Sequence, residues 1–188
     1  VVLKSKDPIP RFQDKKLIIP FRQVGNLILV EATVDDQTGY FILDTGAPYL
    51  VLNATYFRHY PQTEVYAALG VSNQTTDIFR TTVDSLTLRT LGYEHVEADV
   101  ADLSHLENNR GVQILGLLGC NLFKQFVLGI DFEAKNLTIR TVESFEKFDS
   151  PNQYNTIPFE LINNTIALNA QVNEENVRVV FDTGAEIN

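Results

Sequence analysis

The sequence has few of the residues that build disulfide frameworks or metal sites. Its 188 residues include one cysteine and three histidines, and they include no methionine and no tryptophan. The lone Cys120 excludes a disulfide framework within the chain. The scattered histidines do not have the spacing of a zinc site. The sequence therefore predicts no metal centre.

Basic residues and long apolar runs are also scarce. The chain has 15 Lys and Arg against 24 Asp and Glu, which gives a formal net charge of −9. Proteins that bind nucleic acids normally carry a basic stripe, so this balance argues against a nucleic-acid partner. Fully apolar runs, such as residues 27–30, are no longer than about five residues and too short to span a membrane. A hydrophobic content of 44% nevertheless allows a sizeable core.

The first residue is Val1, and no methionine occurs anywhere in the chain. We expect that an N-terminal piece, with any signal peptide, has been removed or left out. The cellular location is therefore open, with export to the periplasm or the extracellular space as the working expectation.

Short β-strands dominate the residue pattern. Apolar and β-branched residues at 27–34 and 40–43 flank five turn-forming residues and predict a β-hairpin. A similar hairpin is predicted across 126–139, and strict alternation at 82–88 predicts a further strand. Two segments favour short helices: 53–59 and 119–126. The pattern predicts an all-β domain with one or two helical turns.

The chain contains a partial repeat of itself. Residues 19–47 align without a gap on residues 157–185, with 11 identities in 29 positions. The match ends with Asp-Thr-Gly-Ala in both copies, at Asp44 and at Asp182. We predict a complete lobe with an N-terminal extension at 1–145, a linker at 146–155, and the truncated start of a second lobe at 156–188.

Each aspartate of the repeat follows a predicted strand at a tight turn. A single Asp44 there can be a strand-capping residue in an Asx-type turn. If two such lobes pack about a two-fold axis, Asp44 and Asp182 come face to face. Two carboxylates that close cannot both ionise, so they share a proton. One can then act as general base on a water while the other protonates a carbonyl oxygen.

Residues 43–47 (Leu-Asp-Thr-Gly-Ala) resemble the active-site loop of retropepsin-like aspartic proteases. Residues 117–119 (Leu-Leu-Gly), followed by a short helix, resemble the segment that threads through this loop in that family. The resemblance covers residues 16–140 and is to the bacterial branch of the family. The partial repeat from residue 156 adds a second copy of the motif, so the chain carries two motifs in tandem. It implies an acid-protease lobe built as a closed β-barrel with one short helix. The implied catalytic residues are Asp44 and Asp182, supported by Thr45, Gly46, Ala47, Thr183, Gly184 and Ala185. The implied ψ-shaped crossing consists of Leu117, Leu118 and Gly119.

Two positions leave alternatives open. Retroviral members of the family have an arginine directly after the glycine, where this chain has Cys120. That cysteine is either a small buried hydrophobe or a reactive thiol. The flap of the family should fall between Val65 and Ile78, with Gly70 as the candidate tip residue, but an ordinary surface hairpin explains the segment equally well.

These features together predict an aspartic endopeptidase that uses a two-aspartate dyad and needs no cofactor. Its partners would be a peptide or protein substrate and either the second lobe of the same chain or a second copy. We expect the 188-residue chain alone to be inactive as a monomer. The alternative is a module on the same fold that binds peptides, or dimerises, without cleaving.

Overall fold

Strands form most of the structure. The computed structural model describes residues 6–69, 75–148 and 155–185. The strands, in chain order, are β1 (Pro10–Arg11), β2 (Lys16–Val24), β3 (Leu27–Val34), β4 (Gln37–Leu43), β5 (Leu50–Asn53), β6 (Glu64–Leu69), β7 (Thr75–Leu88), β8 (Leu91–Ala101), β9 (Gly116–Leu118), β10 (Phe126–Asp131), β11 (Asn136–Thr141), β12 (Glu160–Ile162), β13 (Thr165–Val172) and β14 (Glu175–Phe181). The helices are α1 (Ala54–Phe57), α2 (Ser104–Arg110), α3 (Val142–Phe148) and a 3₁₀ helix at Cys120–Phe123.

Six of these strands close into a barrel. The pairing runs from β3 to β4, β9, β5, β8 and β7, and β7 then pairs back to β3. Strands β2, β11 and β10 extend the sheet from β3, while β6 continues from β7 and β1 pairs with β8. The predicted all-β class and closed barrel are confirmed.

The core follows from the alternation of side chains along the strands. On β2, Leu17, Ile19 and Phe21 are buried while their neighbours face solvent. Residues 27–30 of β3 are buried on both faces, because the barrel core covers one face and Leu103 and Leu106 of the α2 region cover the other. A fully buried aliphatic or aromatic side chain of this kind contributes about 1.5–3 kcal/mol to stability.

The helices correct part of the sequence prediction. Helix α1 and the 3₁₀ helix lie in the two predicted segments, but α2 and α3 were not predicted. Helix α2 is polar and only seven residues long, so it shows no hydrophobic period, and it ends at Gly111 in the left-handed region with φ 61°. Helix α3 follows β11 directly and runs into the segment predicted as a linker. No helix among the described residues has the length and apolar character needed to cross a membrane.

Strands β12–β14 form a separate three-stranded sheet that repeats β2–β4. Strands β13 and β14 have the bounds of β3 and β4 shifted by 138 positions. Register is also repeated, since Val34 pairs with Gln37 and Val172 with Glu175 across turns of two residues. The first turn was predicted to be five residues long; Asp35, with φ 52°, allows a tighter one.

Candidate active site

The Asp44 loop connects β4 to β5, and β9 passes between these two strands. Strand β9 pairs in parallel with β4, with Leu118 opposite Leu43, and antiparallel with β5, which follows the loop. The Asp44 N–H donates to the Leu118 carbonyl (3.1 Å) and the Cys120 N–H to the Ala47 carbonyl (2.9 Å). The structure thus brings the predicted 117–119 segment against the loop and holds the loop at both ends.

Gly119 makes this crossing sterically feasible. A Cβ at this position would overlap the carbonyl oxygen of Tyr49, which is a backbone atom that cannot swing aside. Only glycine therefore lets β9 approach the segment after the Asp44 loop this closely.

The carboxylate of Asp44 is fixed by its own turn. Its Oδ1 accepts hydrogen bonds from the N–H groups of Gly46 (2.8 Å) and Ala47 (3.0 Å). Backbone donors of this kind orient a carboxylate and stabilise its charged form. In the second loop, the Gly184 N–H donates to Oδ1 of Asp182 in the same way (2.8 Å).

The two loops are joined through their threonines. The Thr45 N–H donates to Oγ1 of Thr183 (3.1 Å), and the Thr183 N–H donates to Oγ1 of Thr45 (3.0 Å). Each hydroxyl in turn donates to a carbonyl of the opposite strand end, Thr45 to Phe181 (2.6 Å) and Thr183 to Leu43 (2.7 Å). These four bonds relate the loops by an approximate two-fold axis.

The threonine contacts place each aspartate beside the glycine of the other loop. A Cβ added to Gly46 would lie 2.5 Å from Oδ2 of Asp182, and one added to Gly184 would lie 2.6 Å from Oδ2 of Asp44. Any side chain at either glycine would therefore collide with a carboxyl group. The structure brings together the two aspartates that the sequence repeat singled out.

Burial and the neighbouring carboxylate change the acidity of Asp44. Burial, followed by the charge of Asp182, raises the pKa of Asp44 from 3.8 to about 6, and the N–H groups of Ala47 and Gly46 oppose part of this rise. Asp182 lies in a more exposed part of the site. The two carboxyl groups therefore have different surroundings, and those of Asp44 favour its protonated form.

Comparison with known proteins agrees with this geometry. The model of the aspartyl protease family matches residues 30–122, a span that contains both the Asp44 loop and the 117–119 segment. Over this span, just under half of the chain, the sequence is similar to the aspartyl protease family. This similarity confirms the retropepsin-like resemblance inferred from the sequence and supports a protease function in general.

The other comparisons find no curated relative but do find similar solved structures. No curated protein matches the sequence at a significant level. Among solved structures, 57 chains match. One is a retropepsin-like aspartic protease from Rickettsia conorii, with 18% sequence identity and a TM-score of 0.46, over 73% of this chain and 96% of that one.

The structure bears on three further predictions from the sequence. Strands β6 and β7 form a hairpin over the range predicted for the flap, but Gly70 lies outside the described residues. Cys120 is buried, and burial raises the pKa of its thiol, which fits a small buried residue rather than a thiolate nucleophile. The described part of the chain holds no group of three or more His, Cys, Asp or Glu side chains arranged for a metal ion.

Two residues next to the site were not identified from the sequence. Tyr49 follows the Asp44 loop, and its ring lies under the guanidinium of Arg80, which is buried on β7. Because Arg80 occurs in a strand of mixed polar and apolar residues, nothing in the pattern signals that its side chain turns inward.

Proposed function

We propose that the protein is an aspartic endopeptidase whose dyad consists of Asp44 and Asp182. The observation that carries this proposal is the arrangement of the two carboxyl groups, each packed beside the glycine of the opposite loop. A raised pKa at Asp44 beside a more exposed Asp182 supports a dyad that holds one proton.

In the proposed reaction, the pair begins with one proton, which we place on Asp44. Asp182 takes a proton from a water molecule as its oxygen attacks the carbonyl carbon of the scissile peptide bond, while Asp44 donates its proton to the carbonyl oxygen. In the second step, Asp182 gives its proton to the leaving nitrogen. Asp44 recovers a proton from one hydroxyl of the tetrahedral intermediate, the C–N bond breaks, and both carboxyl groups return to their starting states. No cofactor takes part in this scheme.

The substrate in this proposal is an extended peptide. Such a peptide would lie across the cleft at the two Asp loops, covered by the β6–β7 hairpin acting as the flap, and would pair through backbone hydrogen bonds. Loop-supporting roles go to Thr45, Gly46, Ala47, Thr183, Gly184 and Ala185, and the ψ-shaped crossing to Leu117, Leu118 and Gly119. We keep the division into a lobe at 1–145, a linker at 146–155 and the start of a second lobe at 156–188 as part of the proposal.

The competing hypothesis is a module that binds peptides or dimerises without cleaving. It would keep the fold and the groove but would have no use for two carboxyl groups facing each other. Complete Asp-Thr-Gly-Ala motifs at 44–47 and 182–185 therefore favour the enzyme.

Replacement of either aspartate tests the proposal directly. Asp44→Asn and Asp182→Asn should each reduce cleavage of a peptide library by the intact protein by at least about a thousandfold, because an amide can neither act as base nor share the proton. Asp36→Asn, on an exposed turn, is the matched control and should cleave at the wild-type rate. Unchanged cleavage by Asp44→Asn would leave the binding module as the better hypothesis.

The dependence of the rate on pH gives a second test. Above the pKa of Asp44, at about 6, the pair loses its acid, and at low pH the pair takes up a second proton and loses its base. The rate should therefore describe a bell with its optimum on the acid side of neutrality. A rate that keeps rising past pH 7 would point to a different general base.

A further inference from the structure

Strand β7 carries a buried cation close to the candidate active site. The side chain of Arg80 is only 8% exposed, and its Nε donates to Oδ1 of Asp99 at 2.9 Å. Arg80 and Asp99 are direct cross-strand partners on β7 and β8, and the side chain of Asp99 is 13% exposed. Desolvating such a pair offsets much of its attraction, so the pair contributes little net stability by itself. The burial of the pair is better explained if it fixes the position of the Arg80 side chain.

The guanidinium of Arg80 also contacts the segment that follows the Asp44 loop. Its central carbon lies 5.5 Å from the centroid of the Tyr49 ring, within the range of a cation–π interaction. Tyr49 is buried and lies two residues after Ala47, whose N–H donates to Asp44. The backbone of Tyr49 packs on Gly119 at the crossing, so it is held from one side by β9 and from the other by Arg80.

Arg80 also belongs to the hairpin that would cover the substrate. Its carbonyl accepts from both the N–H (2.8 Å) and the hydroxyl (2.9 Å) of Thr63, just before β6 begins. Arg80 therefore lies where the base of the β6–β7 hairpin, strand β8 and the segment after the Asp44 loop meet.

We propose that Arg80, oriented by Asp99, is a positioning residue that fixes Tyr49 and thereby the Ala47 N–H that orients the carboxylate of Asp44. The proposal rests on the proposed function for its catalytic consequence, but the geometry it predicts does not depend on catalysis. In this proposal, Arg80 also couples the position of the base of the β6–β7 hairpin to that of the Asp44 loop.

The surroundings of Asp44 determine how a displaced Ala47 N–H would change the pKa of its carboxyl group. The groups that face its carboxylate are the N–H donors of Gly46 and Ala47 from its own turn and Asp182 from the opposite loop, while Cys120 next to the crossing is an uncharged thiol. The Ala47 bond lowers the pKa of Asp44, so weakening that bond should raise the pKa and loosen the carboxylate.

Two substitutions test the contact from its two sides. Tyr49→Leu removes the ring but keeps an apolar side chain, and Arg80→Lys keeps the positive charge beside Asp99 but removes the planar guanidinium. Arg11→Met is the matched control, because it breaks an exposed ion pair to Glu94 at the other end of β8. For each variant of the intact protein we would measure kcat, KM, the thermal unfolding midpoint, and the pKa of Asp44 by carbon-13 NMR.

The proposal predicts a three- to tenfold fall in kcat for Tyr49→Leu and Arg80→Lys, with KM changed by less than about twofold and the pKa of Asp44 raised. Arg11→Met should leave all of these unchanged. A lower unfolding midpoint with unchanged kcat and unchanged Asp44 titration would overturn the proposal, as would a rise in KM alone. If the wild-type protein cleaves no peptide, the proposed function fails, and the Asp44 titration in the same variants still decides this inference.

Discussion

At the scale of single residues, the site depends on which side chains are absent as much as on which are present. Gly46 and Gly184 leave the space that the opposite carboxyl groups occupy. Thr45 and Thr183 use one hydroxyl each for two purposes, accepting from the opposite N–H and donating to the opposite carbonyl. A small hydroxyl-bearing residue is the only type that satisfies both bonds in this space.

The threonine pair should show strong energetic coupling. Thr45→Val and Thr183→Val each remove a hydroxyl that takes part in two bonds between the loops. The second substitution should therefore destabilise the protein less than the first, with a coupling of about 1 kcal/mol or more in a double-mutant cycle of urea unfolding.

Two controls accompany this cycle. Thr45→Ser keeps the hydroxyl and should remain close to wild type. Thr33→Val removes a hydroxyl from the exposed Thr33–Thr38 bond and should change the free energy of unfolding by no more than about 0.5 kcal/mol. Additive effects of the two valine substitutions would mean that the loops do not share these bonds.

At the scale of elements, strand β9 organises the site. It is only three residues long, yet it completes the barrel between β4 and β5 and supplies the carbonyl that holds Asp44 in place. Its close approach to Tyr49 depends on the absence of a Cβ at Gly119.

Gly119→Ala should accordingly disrupt the lobe. The added methyl group would overlap a backbone oxygen, and relieving the overlap requires β9 to move, at a cost of about 3 kcal/mol or more. Gly129→Ala on β10 is the matched control, because there the new Cβ would meet Thr138 at an ordinary 3.7 Å. Unfolding curves of the two variants measure the difference, and equal stabilities would contradict the described crossing.

The elements also show what could be predicted from the sequence. Strands β3 and β4 were predictable because short runs of apolar and β-branched residues, at 27–34 and 40–43, flank turn-forming residues. That Asp44 lies close to Asp182 was predictable, because two copies of one motif are expected to take equivalent positions about a two-fold axis. Helix α2 was not predictable, since seven mostly polar residues carry no period, and the inward turn of Arg80 depends on Asp99 and Tyr49, which are distant in sequence.

At the scale of the whole molecule, the two copies of the repeat differ in their surroundings. Phe21 is 5% exposed in the first copy, whereas its counterpart Phe159 is 58% exposed. The second copy exposes seven large apolar side chains in and just before the three-stranded sheet: Ile157, Phe159, Leu161, Val172, Val179, Val180 and Phe181. An apolar surface of this extent favours association with another surface.

We therefore expect the 188-residue chain to be inactive as an isolated monomer and to gain activity only when this surface is covered. Sedimentation together with a cleavage assay over a concentration series should show specific activity rising as the chain associates. A strictly monomeric chain that cleaves peptides at a rate per molecule independent of concentration would contradict this expectation.

The central claim is that Asp44 and Asp182 form one titrating unit, and carbon-13 NMR titration of Asp44 in the wild-type protein and in Asp182→Asn tests it most directly. Burial and the charge of Asp182 should place the pKa of Asp44 at about 6 in the wild type, and the substitution should lower it because the second carboxylate no longer opposes ionisation. A pKa of Asp44 close to its ordinary 3.8 in both proteins would contradict the account.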